Sequence, residues 1–272
     1  MIDTVKYIGH LMVYSLLAMT IFIVPLRLMP YISTNRLISY GVSQLLAVGL
    51  ALSLVWVFQR WISRRSFSEL GLTLNAVSTR LFLRGAAIGF VMMTLTFLLM
   101  LTTGAVHVAY AHPSIGALLI TAEMFAIQWL QVFSEEIVFR THPLWKLTER
   151  LSVWGTCAVW GLFFGLVHLL GKGNTPLAIF GIALAGAFMN FSYFLEGGNV
   201  WYTVGIHYAW NTLEMHVYFS KRLFQISGSG PSWLTGGGDA EAGILSVLVI
   251  ACALYTTIAA YQRRNGAAAT RA

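Results

Sequence analysis

The chain carries eight runs of about twenty mostly apolar residues, near 7–27, 37–59, 81–104, 114–139, 152–171, 175–195, 199–219 and 243–261. A run of that length suits the hydrocarbon core of a bilayer, which an α-helix crosses in roughly 20 residues. Charged residues are 10% of the chain, against about 25% in a soluble domain. A water-soluble globule would lack the polar surface to cover itself. A cytosolic enzyme, a disordered regulator and a secreted disulfide scaffold are therefore excluded. The expected fold class is all-α, a polytopic membrane protein of about eight transmembrane helices in a single transmembrane domain over residues 1–272. No internal repeat is visible, so an inverted-repeat transporter gets no support.

The net charge of +7 does not point to nucleic acid, because the cations lie between the apolar runs rather than in one patch. They read as topology signals. With the N-terminus inside, cytoplasmic segments hold Lys6; Arg60, Arg64, Arg65, Arg80 and Arg84; Arg140, Lys146 and Arg150; and Arg263, Arg264 and Arg271. The other side holds Arg27, Arg36, Lys172, Lys221 and Arg222. Both termini are expected in the cytoplasm. The N-terminus has no small-residue cleavage site and reads as a retained first helix. The short run before that helix and the lack of a retrieval signal suit a bacterial plasma membrane. Residues 60–80 are basic and mixed, as an interfacial amphipathic segment would be. Residues 221–242 are rich in Gly and Ser and read as an exposed loop. Cys157 and Cys252 lie in apolar runs and read as small hydrophobes.

Ionisable groups inside apolar spans are costly, so each is a functional candidate. The end of the fourth run holds Gln128, Gln131, Ser134, Glu135, Glu136 and Arg140. Glu136 and Arg140 are spaced i,i+4 and should pair. Glu135 is turned about 100° away at 3.6 residues per turn, on a stripe with Gln131 and Gln128. Glu136 is then the anchored carboxylate, and Glu135 the one left for chemistry. The fifth run holds Gly161, Phe164, Gly165 and His168. Its GxxxG face permits close helix approach and points His168 into the bundle. The seventh run holds His207 and Asn211, i,i+4 on one face, with Glu214 a further turn along the same face as an outer partner. Glu123, His107, His112, His142, Glu196 and His216 fall at expected helix ends or loops and read as interfacial.

Each site alone has an ordinary structural explanation: ion pairs at the membrane edge, a satisfied core histidine, or interhelical hydrogen bonds. Together they supply a carboxylate, two histidines and an amide from three helices, the inventory for water-mediated acyl cleavage. A carboxylate takes a proton from water, and two fixed donors hold the oxyanion. Glu135, His168 and His207 are also a two-histidine, one-carboxylate set that suits zinc. There is no HExxH and no pair of these ligands within one helix, so the metal-free reading is preferred and no cofactor is expected.

The three motifs resemble those of the CPBP family of intramembrane endopeptidases, also called CAAX proteases or the Abi family. That family carries EExxxR, FxxxH and HxxxN/D in order on an eight-helix bundle. This chain has Glu135-Glu136 with Arg140, Phe164 with His168, and His207 with Asn211. The segment GGNVWYTVGIHYAWN is also similar to the family's third motif and its approach. The resemblance covers about residues 115–240. It implies Glu135 as general base, His168 as its partner, His207 and Asn211 as oxyanion ligands, and Glu136 and Arg140 as supports. Rce1-type members remove the last three residues of prenylated CAAX proteins; bacterial members include enzymes linked to bacteriocin maturation, immunity and peptide signalling. The expected partners are a peptide or protein substrate entering from the membrane and the lipid bilayer itself, with no nucleic acid. The rival classes are a transporter with a polar helix-lined path and a non-catalytic membrane partner such as an immunity protein. One conflict stands in this reading. The charges put Glu135 near the cytoplasmic face, whereas a full-length fifth span carries His168 toward the opposite face.

Overall fold

The structure is a computed structural model that describes residues 2–170, 175–228, 230–236 and 240–269. Lys172 and Arg271 of the charge pattern lie outside the described residues. The helices are α1 (Ile2–Ile32), α2 (Arg36–Val57), α3 (Ala76–Thr102), α4 (Ile115–Arg140), α5 (His142–Thr148), α6 (Val153–Val167), α7 (Pro176–Leu195), α8 (Val200–Thr212), α9 (Ser232–Thr235) and α10 (Ile244–Ala269). Many start where a polar side chain receives the first backbone N–H groups. Asn35, Asn75, Ser114, Ser152, Thr175 and Asn199 cap α2, α3, α4, α6, α7 and α8 in this way.

The protein is an integral membrane protein with an all-α fold. Among the described residues six helices are long and apolar enough to cross a membrane. Their outer faces carry exposed Leu, Ile, Val and Met side chains, such as Met12, Leu16, Leu45, Val91 and Leu119, which only lipid would cover. The expected spans 152–171 and 199–219 instead fold as α6, of 15 residues, and α8, of 13 residues. At 1.5 Å per residue α6 reaches only about 22 Å, short of the roughly 30 Å hydrocarbon core; α8 continues into a π-helical segment as far as Tyr218 but is not among the six apolar helices. Every residue from Val200 to Ile206 is buried, so α8 runs inside the bundle.

α8 lies between α3 and α4; α2 joins α1 to α4; α7 lies between α6 and α10, and α10 returns to α3. Small residues set the tightest contacts. A Cβ on Gly85 or Gly89 of α3 would run into the Tyr202 and Ile206 carbonyl oxygens of α8, and one on Gly205 of α8 into the Phe82 carbonyl oxygen. Gly161 and Gly165 do the same work between α6 and α7, facing Ala183 and Ala187. The GxxxG expectation for α6 therefore holds.

The connections carry short ordered elements of their own. Residues 60–80 contain no continuous helix. A π-helical turn ends at Ile62, and a 3-10 turn over Phe67–Leu70 is closed by a Ser66/Glu69 capping box. Part of 221–242 is ordered as strand. β1 (Val106–Tyr110) pairs antiparallel with β2 (Phe224–Gly228), Val106 opposite Gly228 and Tyr110 opposite Phe224. This two-stranded sheet ties the α3–α4 connection to the segment after α8.

Overpacking a close helix contact costs about 1–3 kcal/mol or more. Gly205→Leu should therefore cut the yield of monodisperse protein in detergent several-fold. Gly49→Leu, at a glycine with open space around it, should leave the yield unchanged. Equal yields on size-exclusion chromatography would contradict the close α3–α8 contact.

Candidate active site

The site is built on the last two turns of α4, and its position depends on how that helix stops. Pro143 has no N–H to give the Phe139 carbonyl, and it disfavours helical backbone before it. The chain breaks at Thr141 (φ −99°, ψ −101°). The carbonyls left open are taken by side chains. Thr141 Oγ1 donates to the Ile137 carbonyl (2.5 Å), the Tyr14 hydroxyl to that of Val138 (2.7 Å) and Trp160 Nε1 to that of Phe139 (2.7 Å). The Trp160 bond also sets the level of α6. Phe164, one turn further, reaches Arg140, and His168, a further turn on, comes level with Glu135. α6 is therefore not a straight full span, and the conflict over the depth of His168 disappears.

Glu136 and Arg140 are completely buried and pair at 3.1 Å. Glu136 Oε1 also accepts from His207 Nδ1 at 2.8 Å. The Arg140 guanidinium stands 4.3 Å from the centroid of the Phe164 ring, a cation–π contact that tolerates low polarity. One carboxylate thus joins α4 to α8, and its arginine joins both to α6. The i,i+4 pairing expected for Glu136 and Arg140 is present.

Glu135 points elsewhere. Its Oε1 accepts from Gln131 Nε2 at 3.1 Å, and its Oε2 stands 3.8 Å from His207 Nε2. Glu135 and His207 are each about 15% exposed. Asn211, one turn along α8, has its Nδ2 3.0 Å from His207 Nε2. Because the Glu136 carboxylate only accepts, His207 carries its hydrogen on Nδ1 and receives the Asn211 amide at Nε2. His168 caps the C-terminus of α6 and opens a 3-10 turn, His168–Leu170. Its Nδ1 donates to the Phe164 carbonyl at 2.8 Å, so in the neutral ring Nε2 carries the lone pair.

Glu135, His168, His207 and Asn211 line one cavity of about 120 Å³, with Arg140, Phe164 and Gln131 in its wall. That volume holds several waters. A second cavity of about 460 Å³ meets the first at Gln131, Glu135 and His168. Its other walls come from α1 and α2, among them Phe22, Pro25, Leu26, Tyr40 and Ala47. Among the described residues no three His, Cys, Asp or Glu side chains are gathered as a metal ion would need.

Other candidates fall outside this group. Glu214 does not follow His207 onto the cavity. The segment Leu213–Tyr218 is π-helical, and its wider turn rotates Glu214 off the 3.6-residue face. Glu214 instead accepts from Trp210 Nε1 (2.9 Å) and the Ala240 N–H (2.7 Å). Two histidines read as interfacial are buried. His142 bonds Gln59 (2.9 Å) and His10 (2.8 Å), and His216 bonds Gln128 (3.0 Å). Gln128 is thus spent on His216 rather than on Glu135. Tyr40 and Trp160 are structural neighbours that motif spacing does not reveal. Gln131 does lie beside Glu135, as the polar stripe of the fourth run implies.

Residues 116–213 match the family model of the type II CAAX prenyl endopeptidase Rce1-like proteins. All three motifs lie within that stretch. Over that stretch the chain is similar to the Rce1-like family. A search of curated proteins finds no match to the chain. The Rce1-like family is a protease family, and Glu135, His168, His207 and Asn211 of the cavity lie within the matched segment.

Removing one partner of a buried ion pair costs about 3–5 kcal/mol. Arg140→Ala and Glu136→Ala should each lose most of the folded protein, read as detergent-extracted yield and melting temperature. Glu135→Gln, in a partly exposed position, should express and melt as wild type does. Normal stability of the first two variants would show that the pair does not hold α4 to α8.

Proposed function

We propose that the chain is an intramembrane endopeptidase that cleaves CAAX-type substrates with water activated by Glu135. The observation that carries the reading is the convergence of Glu135, His168, His207 and Asn211 on one cavity with room for several waters beside a buried ion pair. A transporter path or a non-catalytic binding partner needs no such set.

The chemistry follows from the bonds already made. His168 Nε2 accepts a hydrogen bond from water and turns its oxygen toward the scissile carbonyl carbon. Glu135 Oε2 takes the other proton as the C–O bond forms. The carbonyl oxygen, now negative, is held by the Asn211 amide and by His207. His207 donates from Nε2 in its protonated form, with the Asn211 amide turned from Nε2 to the oxyanion, and Glu136 fixes the ring through Nδ1, as the triad carboxylate orients its histidine in serine proteases. Collapse breaks the C–N bond, and the proton on Glu135 passes to the leaving amine. Zinc held by Glu135, His168 and His207 is the alternative. It is disfavoured because both His207 nitrogens already face protein partners, Glu136 and Asn211. The reading includes a bacterial plasma membrane with both termini cytoplasmic, and a substrate that enters from the bilayer.

Membranes from cells with wild-type protein and with Glu135→Gln at matched expression should differ in neo-termini. The peptides missing from the variant would name the substrate. Glu135→Gln and His168→Ala should abolish cleavage. Asn211→Ala, which removes one oxyanion donor, should cost about 10²–10³ in kcat. Cleavage should survive 1,10-phenanthroline. Identical termini in both membranes would remove the protease reading, and loss of activity with the chelator would replace water activation by Glu135 with a metal.

A further inference from the structure

The polar stripe of α4 continues one turn before Glu135, and the chemistry above leaves it unused. Gln131 Nε2 lies 3.1 Å from Glu135 Oε1, and Gln131 Oε1 lies 2.6 Å from the Tyr40 hydroxyl of α2. The ends of the amide are fixed by chemistry. An ionised carboxylate only accepts, so the NH₂ end must face Glu135. The oxygen end then faces Tyr40, and the phenol must donate. The order of donation is Tyr40 to Gln131 to Glu135.

This chain makes the two oxygens of Glu135 unlike. Oε1 is engaged by Gln131. Oε2 stands 3.8 Å from His207 Nε2, too far for a direct bond, and Glu135 lines the smaller cavity, which has room for water. Gln131 and Glu135 border both cavities, whereas Tyr40 borders only the larger one. The pair is therefore anchored on α2, outside the α4–α6–α8 motif set.

We propose that Tyr40 and Gln131 are positioning residues that hold the Glu135 carboxylate so that Oε2 alone faces the attacking water. The proposal rests on the protease reading. Gln131 has no contact with the reacting atoms and acts through Glu135; Tyr40 acts through Gln131.

The test uses the full chain in proteoliposomes with a farnesylated peptide ending in a CAAX-type tetrapeptide. Gln131→Met keeps length and removes the N–H donor. It should lower kcat by up to about 10²-fold, the scale of a small misplacement of a reacting group, with KM within about twofold of wild type. Tyr40→Phe should lower kcat less. The double variant should be no slower than Gln131→Met alone, because the hydroxyl has no route to Glu135 once the amide is gone. Melting temperatures in detergent should match wild type. A wild-type kcat in Gln131→Met overturns the proposal. So do losses confined to KM, which would make the pair a substrate contact, and losses that multiply in the double variant. A fall in melting temperature that tracks the fall in kcat also overturns it, by making the pair structural. Glu135→Gln is measured alongside. Full activity in that variant, or none in the wild type, overturns the protease reading and the positioning role together, whereas failure of the positioning role alone leaves Glu135→Gln inactive.

Discussion

The arrangement depends on one buried carboxylate. Glu136 sits with no solvent contact and holds Arg140 and His207 at once. Neither charge could remain there alone, because an isolated ion in low dielectric costs several kcal/mol. The pair therefore forms only when α4 and α8 are in register. Phe164 adds the third constraint. Its ring covers the guanidinium at 4.3 Å, and its carbonyl accepts from His168. One residue thereby links the ion pair to the second histidine. The motif phenylalanine is explained by these two contacts, since an aliphatic side chain would keep the carbonyl and lose the cation–π surface.

Adjacent glutamates on one helix acquire different environments because 100° of rotation separates them. Glu136 faces the packed α4–α8 seam and is tied from both sides. Glu135 faces the cavity, with one oxygen on an amide and the other toward water-sized space. Such a pair is how a fold keeps one acid structural and leaves its neighbour for proton transfer. The two short helices complete the geometry. α6 and α8 are not among the six long apolar helices, yet they carry His168, His207 and Asn211. These residues line the same cavity as Glu135, and α8 is packed inside the bundle, where its backbone is kept from lipid.

Much of this was legible in the sequence because apolar run length, i,i+4 spacing and GxxxG each report a local cause. The long spans, the Glu136–Arg140 pair and the α6–α7 contact follow from them directly. What hydropathy could not see was where a run is interrupted inside the bundle. It cannot separate a buried 13-residue helix from a span, so α8 and its π-helical continuation read as one segment and Glu214 was carried onto the wrong face. His142 and His216 read as interfacial because their partners, His10, Gln59 and Gln128, are far away in sequence. Gly85 and Gly89 also form a GxxxG in the third run, a packing signal with no polar group beside it to mark a site. The β1–β2 pairing had no local signal beyond Gly and Ser, because each strand is only five residues and is paid for by its distant partner.

The break at Thr141 shows how a proline roughly 12 Å along the axis from Glu135 can govern chemistry it never touches, taking about 1.5 Å of rise per residue. Pro143 frees the Phe139 carbonyl, and the indole of Trp160 takes it at 2.7 Å. That single bond sets the axial offset between α4 and α6, since Phe164 and His168 follow Trp160 at one-turn intervals. Without the break, α4 would use its own amide for Phe139, and Trp160 would lose its acceptor. α6 would then be free to slide, and His168 would leave the level of Glu135. The helix stop is thus a part of the site. It converts a local rule about proline into the alignment of a carboxylate and a histidine that lie 33 residues apart in the chain.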